Sequence, residues 1–187
     1  MNIYRGYTLI EMMLVIACLA IIASVAIPSF SELLEARRNR LSGYALFDLI
    51  ATARGLSLSQ QKNLVICPAH NNRCGSNWAG GALLFEDSNR NGALDDGESL
   101  LRQIDAFRSG TKLSWASFGN RPYLRYRPDG VTPSQSGSFH YCPPSGKNTD
   151  GWIIILNATG RAYFGRDNNG NGIVENGSGV DLDCNEK

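Results

Sequence analysis

The sequence lacks an excess of charge of either sign, with 18 Lys and Arg against 17 Asp and Glu and a net charge of +1. No global field therefore draws the chain to nucleic acid or anionic lipid, and any such binding has to be local. Histidine is scarce, at 2 residues in 187. No grouping of Ser, His and Asp carries a recognisable local signature of nucleophilic catalysis. An enzymatic role is not expected; a structural or binding subunit is. Internal repeats are missing. Charged side chains are nearly missing from one stretch, Tyr7 to Ile27, where Glu11 stands alone.

That stretch is the first positive feature. A helix rising about 1.5 Å per residue needs roughly 20 apolar residues to cross about 30 Å of hydrocarbon, and this run meets the requirement. A cleavable secretory signal would end a short apolar core with an Ala-x-Ala-like site. Here the leader Met1 to Gly6 is very short and the apolar run is full length, so the site to cut lies before the helix. A carboxylate within such a helix costs about 2.5 to 3.5 kcal/mol at the membrane centre and is rarely retained without a partner. Glu11 is thereby marked as functional.

Cys18 lies inside the apolar run and is expected to act as a small buried hydrophobe. Cys67, Cys74, Cys142 and Cys184 lie in the remainder. Four is an even number, which in an oxidising compartment favours two disulfides with three pairings open. The alternative is a zinc half-site at Cys67 and Cys74, completed by Cys142 or His140. Arg37, Arg38 and Arg40 against Arg5 would, on a bare positive-inside count, put the C-terminus in the cytoplasm. The cysteines argue for the opposite side, an oxidising periplasm.

Past Pro28, which should kink the helix rather than end it, Leu41, Ala45, Leu49, Ala53 and Leu56 recur at helical spacing on one face. The spacing predicts one helix from about Thr8 to about Ser59, its second half packing that stripe on a sheet. Beyond Gln61 come short apolar runs separated by Gly, Asn, Asp and Pro. Leu64 to Cys67, Ala82 to Phe85 and Trp152 to Leu156 read as strands. Weaker candidates are Leu100 to Ile104, Leu113 to Trp115, Leu124 to Tyr126, Phe139 to Cys142 and Arg161 to Phe164. The expected fold class is α+β: a lollipop whose long helix packs on a mainly antiparallel sheet.

Two loops carry candidate ligands. Asp87 to Glu98 satisfies the twelve-residue calcium pattern D-x-[DN]-x-[DN]-G-x5-E at every specified position. Asp87, Asn89, Asn91, the Ala93 carbonyl, Asp95 and Glu98 would supply oxygens, and Gly92 the sharp turn. Any binding is expected to be weak, in the range of roughly 10⁻⁴ to 10⁻³ M, since two of the ligands are neutral Asn and strands rather than helices flank the loop. The same residues also suit an ordinary turn between strands. Asp167 to Gly172 begins similarly but has Ser178 where the bidentate acid belongs, so no second site is expected. Arg121, Arg125 and Arg127, interleaved with Tyr123 and Tyr126, could contact phosphates and stack bases, or form a solvated strand face.

The string Gly6-Tyr7-Thr8-Leu9-Ile10-Glu11, continuing Met12-Met13-Leu14-Val15-Ile16, resembles the class III signal of type IV prepilins and type II secretion pseudopilins. The resemblance implies that prepilin peptidase cuts between Gly6 and Tyr7 and methylates the new amine of Tyr7. Glu11 then becomes the fifth residue of the mature chain, paired with the N-terminal ammonium of a neighbouring subunit. It also implies a dedicated export route that overrides the positive-inside count. Ala53-Arg54-Gly55-Leu56-Ser57, Val65-Ile66-Cys67-Pro68, Trp78-Ala79-Gly80-Gly81, Leu84-Phe85-Glu86-Asp87 and Gly97-Glu98-Ser99-Leu100-Leu101 look like the family that includes FimT, FimU and GspH.

That family resemblance implies disulfides Cys67 to Cys74 and Cys142 to Cys184, the second pinning a Gly- and Asn-rich tail. It implies a leader at 1–6, a transmembrane and filament-core helix at 7–28, its amphipathic continuation at 29–60, and a periplasmic β-rich domain at 61–187. The expected function is that of a minor pilin, anchored in the inner membrane and then packed with other minor and major pilins through its helix, helping to initiate or cap a type IV pilus. A GspH-like pseudopilin of type II secretion is the near alternative. DNA uptake is the distant one, because FimT-like pilins use a C-terminal Gly-Arg-x-Arg element. Gly160-Arg161-Ala162-Tyr163 matches it without the second Arg, although Arg166 follows. No cofactor is required beyond the candidate calcium ion.

Overall fold

The computed structural model describes residues 7–185, apart from the side chains of Val25, Pro28 and Ser29. The leader 1–6, with the expected cleavage residue Gly6, lies outside the described residues. The chain divides into two units, residues 1–38 and 39–187.

Helix α1 runs from Leu9 to Gln60, 52 residues, and continues past position 28. It ends where Gln61 turns left-handed at φ 55° and the Lys62 amide donates to the Ser57 carbonyl at 3.3 Å, a Schellman-type closure. In the first unit the large apolar side chains of α1 are exposed, from Leu9 at 78% to Leu34 at 39%. Cys18, expected to be buried, is exposed with them. Among the described residues no helix is long and apolar enough to cross a membrane; the stretch expected to do so includes Val25 and Pro28, whose side chains are not described.

In the second unit α1 buries Asn39, Gly43, Leu46, Leu49, Ile50, Ala53 and Ser57. This corrects the expected stripe. Leu49 and Ala53 belong to it, but Leu41 is 66% exposed and Ala45 is also exposed. The helix turns its small residues inward because Trp152 backs directly onto it. A Cβ on Gly43 would lie 3.1 Å from the indole. The indole Nε1 donates to the Asn39 carbonyl at 2.9 Å, and the Tyr141 hydroxyl to Asn39 Oδ1 at 3.0 Å.

Among the described residues nine strands follow: β1 (Leu64–His70), β2 (Arg73–Cys74), β3 (Ala82–Glu86), β4 (Leu100–Ile104), β5 (Lys112–Ser117), β6 (Leu124–Tyr126), β7 (Gly137–Cys142), β8 (Trp152–Leu156) and β9 (Ala162–Phe164). Where one sheet was expected there are two, both antiparallel: β2-β1-β3-β4 with β6 also on β1, and β5-β7-β8-β9. Both pack into one core with α1, in which Trp78 meets Phe139 edge-on at 4.7 Å and Trp115 stacks on Phe139 at 4.4 Å.

The continuous apolar runs have a specific cause. In β8, Trp152, Ile154 and Leu156 face that core, while Ile153 and Ile155 face a second cluster with Cys142, Leu182 and Cys184. In β1 and β3, Val65, Cys67, Leu83 and Phe85 form a third cluster, covered by Leu94 and Tyr123. Loops and tail thus bury the outer faces of sheets that would otherwise read as alternating.

Candidate functional site

The head of α1 is built by Thr8 and Glu11. The Thr8 amide donates to Glu11 Oε2 at 2.9 Å, the Thr8 hydroxyl to the same oxygen at 3.0 Å, and the Glu11 amide to Thr8 Oγ1 at 3.3 Å. This is a capping box, in which residue and acid three apart satisfy each other's amides. Sequence reasoning missed it, although Thr-x-x-Glu before an apolar run is its usual signal. Tyr7, one residue before the cap, is 84% exposed. The one acid in the apolar run therefore sits in the first turn, where the helix dipole also favours negative charge.

Asp87 opens the candidate calcium loop and is fully buried. Its carboxylate accepts from the Asn91 amide at 3.0 Å, the Gly92 amide at 3.1 Å and Arg125 Nη2 at 2.9 Å. Gly92 is demanded twice, by φ of 81° and by the Tyr123 ring, which a Cβ would meet at 2.2 Å. Asp95 Oδ2 accepts from the side-chain amides of Asn89 at 2.8 Å and Asn91 at 2.6 Å. Those two bonds hold the Asp95 carboxyl below its ordinary range. Glu98 accepts from the Ser88 and Asp95 amides, and the Ala93 amide donates to Asn91 Oδ1 at 2.8 Å. The loop closes on its own amides, and a guanidinium already neutralises its first acid. Among the described residues no three of His, Cys, Asp and Glu come together as a metal-holding group.

The tail repeats this construction. Asp167 accepts from the Gly170 and Gly172 amides, Asp181 from the side-chain amides of Asn169 and Asn171, and Glu175 from the Asn168 and Asn169 amides. Glu175 and Asp181 thus take the parts of Glu98 and Asp95. Ser178 contributes only its amide, to Asn176 Oδ1 at 2.9 Å. The spacing to Glu175 differs from the calcium pattern, so the twelve-residue template passed over it.

Disulfides join Cys67 to Cys74 and Cys142 to Cys184. Both sulfurs of the zinc half-site are thereby consumed. His140 Nε2 lies 2.7 Å from Ser138 Oγ. The candidate DNA residues are divided between the sheets. Arg125 is committed to Asp87, with 14% of its side chain exposed, and Arg127 pairs with Asp129. Arg121 donates to the Tyr123 hydroxyl at 2.8 Å. Arg161 and Arg166 are exposed on either side of β9.

Residues 1–27 match the profile of the prokaryotic N-terminal methylation motif. Residues 45–160 match that of the type II transport protein GspH family. The chain belongs to the GspH family. As a GspH-family member carrying the methylation motif, it is a minor pilin or pseudopilin of a type IV pilus or type II secretion system, a membrane-anchored filament component in a structural class of proteins. The fold is similar to that of the type IV minor pilin FimU of Pseudomonas aeruginosa, at TM-score 0.54 and 19% identity over 70% of this chain and 90% of that one. It is also similar to the minor pseudopilin EpsH from the type II secretion system of Vibrio cholerae, at TM-score 0.50 and 8% identity over 68% and 95%. No curated protein sequence matches this GspH-family chain.

Proposed function

We propose that the chain is a minor pilin of the FimU and FimT type, which helps to initiate or cap a type IV pilus by packing its helix among those of other pilins. One observation carries this reading: α1 exposes its large apolar side chains from Leu9 to Leu34 and bears a single acid at its head. Such a surface needs lipid or neighbouring helices to cover it. Prepilin peptidase would cut after Gly6 and methylate Tyr7. Residues 7–28 would hold the precursor in the inner membrane, with the rest in the periplasm. Two disulfides support that oxidising side.

The second reading, a pseudopilin of type II secretion, is favoured by the description of the family itself. A deletion strain separates the two: loss of twitching with normal exoprotein secretion is expected, and the reverse overturns the pilus reading. DNA uptake is not favoured, because Arg125 and Arg127 are held by acids of the same chain. Weak calcium occupancy of the loop Asp87 to Glu98 is kept as a proposal on the match of its residues to the calcium pattern.

A further inference from the structure

The sheet β5-β7-β8-β9 ends at β9. The Gly165 amide donates to the Ile153 carbonyl at 2.8 Å, and the Asn157 amide to the Arg161 carbonyl at 3.1 Å. Between these pairs Tyr163 lies opposite Ile155. In an antiparallel ladder inward and outward residues alternate, so Ala162 and Phe164 turn their N–H and C=O groups away from β8. No group among the described residues bonds to them, whereas the next outward carbonyl, that of Arg166, already accepts from the Glu175 amide at 2.9 Å, so the open edge ends at Phe164.

Beyond this edge lies a cavity of about 690 Å³ whose lining includes Phe47, Phe164, Arg166 and Glu175. A second, of about 300 Å³, follows α1 past Arg54 and Leu58 to Arg161. Phe47 and Ala162 line both, so the two form a trough along β9. Its floor is apolar, with Phe47 stacked on Phe164 at 5.1 Å. The guanidiniums of Arg161 and Arg166 stand at opposite ends, and neither has an ion pair or hydrogen bond among the described residues.

We propose that this trough takes an extended, acidic segment of another polypeptide as an added strand on β9. The outward groups of Ala162 and Phe164 supply main-chain bonds, the floor takes an apolar side chain, and the two arginines take an acid at each end. Arg161 and Arg166 flank the three residues of β9, so the acids belong on either side of a short paired segment. A peptide fits better than nucleic acid. A phosphodiester offers no N–H to the outward carbonyls. The inference does not depend on which filament the chain joins.

The test is fluorescence anisotropy with the full-length chain in detergent micelles. The probe is a labelled peptide, Glu-Thr-Val-Thr-Val-Glu, with three comparisons: the same peptide with Lys for Glu, the same peptide N-methylated at its Val amides, and a single-stranded oligothymidylate. Saturable binding of the Glu peptide is expected, weakened about tenfold or more by Arg161→Glu with Arg166→Glu. It should be lost with the N-methylated peptide. Ala162→Pro should also abolish it, because proline at an outward-facing edge position leaves the β8 ladder intact. Should that variant fail to fold, the N-methylated peptide tests strand addition by itself. No saturation, equal binding of the Lys peptide, or indifference to N-methylation overturns the proposal. So does oligothymidylate binding that excludes the peptide, which would make this a nucleic-acid surface.

Discussion

Arg125 of β6 reaches the carboxylate of Asp87 at 2.9 Å, where the acid is wholly shielded from solvent and the arginine side chain is 14% exposed. The same nitrogen donates to the Arg90 carbonyl at 2.7 Å, so one guanidinium ties the long loop to the sheet. Arg125→Leu would leave a buried carboxylate without its cation and should cost about 3 to 5 kcal/mol. Chemical denaturation measures it. Adding Asp87→Asn to that variant should restore part of the loss; no restoration would mean that the arginine acts mainly through packing.

Calcium should bind the same loop weakly, at roughly 10⁻⁴ to 10⁻³ M, because Asp87 is already neutralised and Asp95 and Glu98 already accept amides. Calorimetry should detect this heat at millimolar calcium and lose it in Glu98→Gln. A flat titration, or heat unchanged in that variant, returns the loop to the status of a turn.

Alkaline pH should destabilise the fold through Tyr126. Burial pushes its phenol well above the ordinary value, while Arg54 opposes this in part, and the hydroxyl donates to the Gly160 carbonyl at 2.9 Å. An unfolded tyrosine ionises near pH 10, so above about that pH the unfolded state loses a proton that the folded state keeps. The contribution is fully present below this pH and falls away above it. Tyr126→Phe should cost about 0.5 to 1.5 kcal/mol at neutral pH and flatten the stability profile above about pH 10.

The Cys142–Cys184 bond closes a separation of 42 residues and holds the tail cluster of Leu182 against Ile153 and Ile155. Replacing both cysteines by Ser should cost about 2 to 5 kcal/mol and open the tail to limited proteolysis. Unchanged protease resistance would assign the tail's order to its Asn and Asp hydrogen bonds instead.

Gly6→Ala should leave unprocessed precursor in the membrane, and mass spectrometry of the wild-type chain should find N-methylated Tyr7 at its start. Glu11→Ala should spare cleavage but lower incorporation into filaments, since it removes both the partner of Thr8 and the acid at the helix head. Normal incorporation would count against a charge-paired assembly.

Legibility in the sequence followed the range of the interaction. Helix α1, and strands such as β1, β3 and β8, are dense local runs whose propensity and hydrophobic pattern agree, so their positions were readable. The two-residue β2 was not, because its pairing of Ala69 with Cys74 forms across a turn and carries no pattern of its own. The tail loop escaped for a related reason: Asp181 meets Asn169 and Asn171 only after the chain has folded back.

What the sequence determined by itself was composition-driven: an apolar helix with one acid at its head, four cysteines in an otherwise polar remainder, and a succession of short strands. Tertiary structure decided which face of α1 is buried. Leu41 and Ala45 belonged to the hydrophobic stripe, yet the helix presents Gly43 and Asn39, because the Trp152 indole packs so close that a Cβ on Gly43 would lie 3.1 Å from it, and the indole reaches the Asn39 carbonyl. Tertiary structure also split the strands into two sheets and left β9 at an edge. Strand order depends on contacts between distant residues, and local propensity carries no information about those partners.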